Sequence, residues 1–78
     1  MSNAEIADRL ASLAQLLSTQ KRKSLQKVKA YRRASAKIRT LSEIMDELVR
    51  EGADLTEFAG IGEAIGRAIR EIVVTGKL

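Results

Sequence analysis

Lys27 and Tyr31 stand four residues apart in a stretch free of glycine and proline, so a helix places an ammonium and a phenol hydroxyl one turn apart on one face. Lysine supplies a compact point charge and tyrosine a neutral hydroxyl donor. Farther along, Gly60-Ile61-Gly62 puts two residues without a Cβ one position apart. That spacing permits a sharp bend and lets another molecule approach the main chain closely. A helix starting just beyond would aim its unpaired N–H groups and positive dipole end at the bend, which makes an anion site. Arg32 and Arg33 beside Tyr31, the amide at Ala64 and the side chain of Arg67 add donors to the two places. The chemistry is anion binding, and nucleic-acid phosphate is the natural anion for a chain with a net charge of +4. Each feature also has a plain structural reading. The glycines can form an ordinary turn between packed helices, and Tyr31 can sit at the rim of the core with its hydroxyl in water.

Charge segregation favours the polyanion. Residues 21–39 hold nine lysines and arginines and no acid, whereas residues 40–78 hold four basic and eight acidic side chains. A basic block beside acidic flanks is an electrostatic footprint for nucleic acid. The chain has no cysteine and no histidine, so disulfides and the usual zinc sites are excluded. No apolar run approaches the ~20 residues of a membrane span, and the amino terminus lacks the pattern of a signal peptide, so no membrane partner is expected.

These groups need helices to position them. With no proline and a composition rich in Ala, Leu, Ile, Glu, Arg and Lys, the 78 residues predict an all-α, compact four-helix domain with a short extra helical turn. Helix one is expected from Ala4 to Ser18, with Ser2 and Glu5 at capping-box spacing and Ile6, Leu10, Leu13 and Leu17 as its apolar stripe. Thr19 to Lys23 is read as a polar connection. Helix two follows from Ser24 to Arg39, with Leu25, Val28, Tyr31, Ala34 and Ile38 inward and Lys29, Arg33 and Lys37 outward. Helix three is expected over Ser42 to Glu51, with Glu43, Asp46, Glu47 and Glu51 as a solvated face and Gly52 as a left-handed cap. Leu55 to Phe58 is one short turn. Helix four runs from Glu63 to Val74, burying Ile65, Ile69, Ile72 and Val73, and Gly76 closes it.

The segment from Leu55 through the bend to Ile65 is similar to the helix-hairpin-helix motif of DNA repair and replication proteins, here about residues 55–74. Taken with Lys27-Val28-Lys29-Ala30-Tyr31-Arg32-Arg33-Ala34 and the close Thr75-Gly76-Lys77-Leu78, nearly the whole chain resembles the amino-terminal domain of family X DNA polymerases. In the eukaryotic repair polymerase that domain carries deoxyribose-phosphate lyase activity, and the bacterial members are nearest in style. The resemblance implies a single monomeric DNA-binding domain over residues 1–78, attached to further domains of a polymerase-like chain, cytoplasmic and nucleoid-associated. It implies that Lys27 and Tyr31 hold the 5′-phosphate of gapped, nicked or single-stranded DNA. Gly60, Ile61, Gly62 and the amides that follow would contact the backbone. It also implies a monovalent cation, sodium or potassium, on the carbonyls of Thr56, Phe58 and Ile61, and no other cofactor.

Two departures qualify it. Ala59 stands where the family usually has proline, so the bend is less preset in φ. The lyase lysine, which forms a Schiff base with the sugar C1′, is matched by Ala68, and a second helpful lysine is matched by Ala64. Helix four has no lysine, and the guanidinium groups of Arg67 and Arg70 stay protonated. The first expectation is therefore sequence-independent DNA binding by backbone and 5′-phosphate recognition, with no catalytic residue assigned. The alternatives are a lyase using Lys27 or Lys77, or a protein-interaction domain in which the basic block meets an acidic partner.

Overall fold

The structure, a computed structural model, describes residues 1–19 and 25–76; the expected start of helix two at Ser24, the cations Lys21, Arg22 and Lys23, and Lys77 lie outside them. Four α-helices and one 3₁₀ turn make up the all-α fold: α1 (Asn3–Ser18), α2 (Leu25–Thr40), α3 (Met45–Arg50), the 3₁₀ turn (Leu55–Glu57) and α4 (Glu63–Thr75). No strand occurs among the described residues. The capping box forms as expected. Ser2 Oγ accepts the Glu5 N–H at 3.1 Å, and Glu5 Oε1 accepts the Ser2 N–H at 3.0 Å. The bond from the Ser2 backbone, helped by its hydroxyl, holds the Glu5 carboxyl below its usual range.

The long helices α1 and α2 pack along a seam of small side chains. Ala7, Ala14 and Ala34 are fully buried, and Ser35 is nearly so. Ser35 Oγ donates to the Ala7 carbonyl at 2.8 Å, a bond that short side chains on both helices permit. The seam corrects three sequence expectations. Leu13 and Leu17 are only half-buried, because Ala7 and Ala14 take the line of contact on α1. Leu25 is 60% exposed, because the three-residue step back from Val28 carries it out of the buried arc of α2. Helix α4 packs against α1, α2, α3 and the 3₁₀ turn, and Ile69 and Ile72 on it are fully buried. The left-handed caps fall where the glycines predict. Gly52 has φ +77° and Gly76 φ +75°. At the first, the Ala53 N–H reaches the Leu48 carbonyl and the Gly52 N–H reaches Val49, the two bonds of a Schellman cap.

Helix α3 begins three residues later than the sequence predicts. The cause is a tertiary clamp. Asn3 Oδ1 accepts the Met45 N–H at 2.8 Å, and Asn3 Nδ2 donates to the Glu43 carbonyl at 2.6 Å. Asn3 thus caps a helix some forty positions away and holds the segment before it extended, with Ile44 at φ −92°, ψ 110°. The solvated-face reading fails at Asp46 as well. Its side chain is largely buried and paired with the Met1 ammonium at 2.8 Å and Arg50 Nε at 2.5 Å. Those partners, Arg50 foremost, pull its carboxyl below the usual range. Glu43, Glu47 and Glu51 are exposed as expected. Removing the clamp by Asn3→Ala leaves a cap unmade, and chemical denaturation should register a loss of roughly 1–2 kcal/mol. Asn3→Asp keeps the acceptor for Met45 and should lose less.

Candidate nucleic-acid interface

The bend is a tight turn over Phe58-Ala59-Gly60-Ile61, closed by the Ile61 N–H donating to the Phe58 carbonyl at 3.1 Å. Gly60 has φ +86°, and no residue other than glycine has positive φ among the described residues. A left-handed third position after a non-glycine second position is the signature of a type II turn. Ala59 occupies the second position, where proline is commonest in such turns. Gly62 has a different part. At φ −89°, ψ −175° it is the extended N-cap of α4, a conformation open to any residue, and the space where a Cβ would sit is empty. As a glycine it brings no side-chain cap. The first bond of α4 runs from the Gly66 N–H to the Gly62 carbonyl at 2.8 Å. The N–H groups of Glu63, Ala64 and Ile65 therefore have no protein partner among the described residues, and Gly62, Glu63 and Ala64 are exposed. An oxygen anion placed there would meet several donors and the positive end of a 13-residue helix.

Helix α2 supplies cations beside this bend. A Cβ on Gly60 would lie 3.9 Å from Arg33 Cγ, so the aliphatic stem of Arg33 passes over the turn. Its guanidinium is exposed and makes no ion pair among the described residues. Lys27, Lys29 and Arg32 are exposed too, and α2 contains no acid. Arg39 is the exception to this freedom, because it pairs with Asp8 of α1. Tyr31 is half-buried with its ring packed against the core, and Lys27, exposed, stands one turn before it on α2. The structure thus brings Arg33 to Gly60, and sets Lys27 and Tyr31 together farther along the same helix. Arg32 lies on the outer surface of α2.

On the far flank of α4 the arrangement is more mixed. Arg67 is exposed and only 3.9 Å from Glu63, also exposed, a loose i,i+4 pair. Both line a groove of about 280 Å³ with Asp54, Leu55, Thr56, Gly66 and Arg70. Two of these residues carry structural work that the sequence reading left unassigned. Arg70 donates to the Ala53 carbonyl at 3.0 Å, and Asp54 accepts from the Thr56 N–H at 3.0 Å and its hydroxyl at 2.6 Å. The Thr56 bonds lower the Asp54 carboxyl. The Asp-x-Thr spacing before a turn was the available signal for this cap.

Ala64 and Ala68 share the flank of α4 opposite the one that meets the 3₁₀ turn. Ala64 is exposed, while Ala68 is 6% exposed and packs into the core. Among the three carbonyls of the expected cation site, that of Phe58 already accepts the Ile61 N–H. Those of Thr56 and Ile61 accept no backbone bond among the described residues. No group of three or more acidic, cysteine or histidine side chains that could hold a metal occurs among the described residues, and no helix there is long and apolar enough to cross a membrane.

The family model described as helix-hairpin-helix domain matches residues 1–78. No curated protein and no solved structure gives a significant match.

Proposed function

We propose a function for a chain that belongs to the helix-hairpin-helix domain family: it holds DNA by the sugar-phosphate backbone without reading sequence. The observation that carries this reading is the meeting of three features at one edge. They are the left-handed Gly60 turn, the unpartnered amides at the start of α4, and the free guanidinium of Arg33 passing over the turn. Backbone amides and arginines position a protein on phosphates but carry no base information, so this grip is sequence-independent. Ala64 contributes its amide, and Arg67 extends the donor set one turn on.

The finer reading follows the family X polymerase resemblance. Lys27 and Tyr31 take the 5′-phosphate at a gap or nick, and the domain serves a repair-polymerase-like protein of bacterial type. The carbonyls of Thr56, Phe58 and Ile61 are the residues that would hold a sodium or potassium ion, and the unused oxygens of Thr56 and Ile61 support that fit. Such an ion would supply positive charge beside the strand.

Titration of the labelled domain with a 5′-phosphorylated gapped duplex tests this. Amide signals of residues 27–33 and 60–64 should move, and the 5′-phosphate should bind tighter than the 5′-hydroxyl. Lys27→Ala should erase that preference. With three to five phosphates engaged, log affinity should fall against log salt with a slope of about −2.7 to −4.5. A flat salt dependence, or silence at both segments, would end the proposal.

A further inference from the structure

Glu63 is an acid at the mouth of the bend, and nothing in the phosphate-binding reading uses its side chain. It is the first residue of α4, directly after the uncapped Gly62. Side chains on a helix lean toward its N-terminus, so the Glu63 carboxylate leans toward the amides that would receive a phosphate. Arg67, one turn later, leans back onto Glu63, and their charged atoms lie 3.9 Å apart. The other charged groups near it are Asp54 and Arg70, which line the same groove, Arg33, whose stem lies against Gly60, and the exposed Glu57 just before the turn. In the free domain, therefore, a carboxylate stands on the first turn of α4 beside the unpartnered amides, without a hydrogen bond to them, and near the closest arginine of α4.

We propose that Glu63 is a built-in competitor for the phosphate: its charge stands beside the positive end of α4 and near Arg67, and a strand must work against it. This inference rests on the reading of the bend as a phosphate site. The pair is loose. Glu63 is 85% and Arg67 78% exposed, so solvent screens their attraction and a phosphate can break it. The consequence is selective. A lone phosphate that meets only the helix end must work against the carboxylate. A strand that also reaches Arg33 and the cations of α2 has other contacts to set against that repulsion. Glu63 thus lowers affinity for isolated phosphates and favours substrates that span the bend and α2 together.

The test compares wild type, Glu63→Gln and Glu63→Asp for binding of a fluorescent 5′-phosphorylated gapped duplex and of inorganic phosphate, with fold monitored by circular dichroism. Removing one negative charge a few ångströms from a phosphate in a largely aqueous setting should tighten duplex binding about three- to tenfold at low salt. The gain should shrink as salt rises, and inorganic phosphate should gain by at least as large a factor. Glu63→Asp keeps the charge and should bind like wild type. Glu63→Gln also removes an acid from the first turn, so it should melt slightly lower while binding tighter, a split that a purely structural role would not give. If wild type binds the duplex and Glu63→Gln binds equally or more weakly, the competitor role is wrong and the phosphate site stands. If wild type does not bind the duplex even at low salt, the site itself is wrong and the competitor role falls with it.

Discussion

Arg33→Glu should weaken DNA binding roughly thirty- to 150-fold at low salt, a loss of about 2–3 kcal/mol typical of a charge-assisted contact to phosphate turned into a repulsion. The same change should leave thermal stability almost untouched. Arg33 is exposed and has no ion-pair partner among the described residues, and surface positions of that kind shift stability by about 0.5 kcal/mol or less. The salt slope should also become shallower by about 0.9, the share of one phosphate. Gly60→Ala isolates the backbone part of the same site. The methyl would have room, since Arg33 Cγ lies 3.9 Å from its place, but φ +86° is strained for any residue with a Cβ. That strain is worth about 1–2 kcal/mol, and it should appear in stability with all charges kept. Fluorescence anisotropy and melting curves on the two variants therefore separate charge from turn geometry. If Arg33→Glu binds like wild type while Lys29→Glu does not, the grip lies on the outer face of α2 and away from the bend.

Local signals in this chain were legible, and tertiary ones were not. The Ser2–Glu5 box, the caps at Gly52 and Gly76 and the start of α4 at Glu63 follow from residue type within one turn of chain, and each forms as expected. The stripe Ile65, Ile69, Ile72 and Val73 was readable because helical periodicity alone defines it. What escaped depends on contacts between distant segments. Asn3 stands just before the expected start of helix one, and nothing local says that its amide caps α3. Asp46 shares its spacing with three solvated glutamates but alone turns inward to Arg50 and the Met1 ammonium. Leu25 outranks Ser35 in hydrophobicity, yet the helix seam buries the serine, because a short hydroxyl can reach the Ala7 carbonyl where a leucine would hold the helices apart.

At the candidate site the glycine pair was visible, but the two glycines proved unequal. Only Gly60 uses its conformational freedom; Gly62 leaves the helix end bare. That Lys27 and Tyr31 lie one helical turn apart was readable from their spacing. The approach of Arg33 to Gly60 needed the fold.

Because α4 touches every other element, its centre should be the most sensitive point of the domain. Ile69 is fully buried in the main core, and Ile69→Ala should cost about 2–5 kcal/mol by lost burial and the cavity left behind. The total stability of a 78-residue domain is roughly 4–12 kcal/mol, so this single change removes a large fraction of it. At about 4–8 °C per kcal/mol, the melting temperature should fall by about 8 °C or more. The damage should reach the binding edge first. Helix α3 has six residues and the 3₁₀ turn three, lengths that have no stability in isolation and depend on packing against α4. Hydrogen exchange in Ile69→Ala should therefore accelerate most over residues 45–61, and less along the α1–α2 seam. Val74→Ala on the same helix provides the contrast. Its side chain is 74% exposed, and its loss should change stability by about 0.5 kcal/mol or less. Equal destabilisation by the two variants would mean that α4 is not the element on which the hairpin rests.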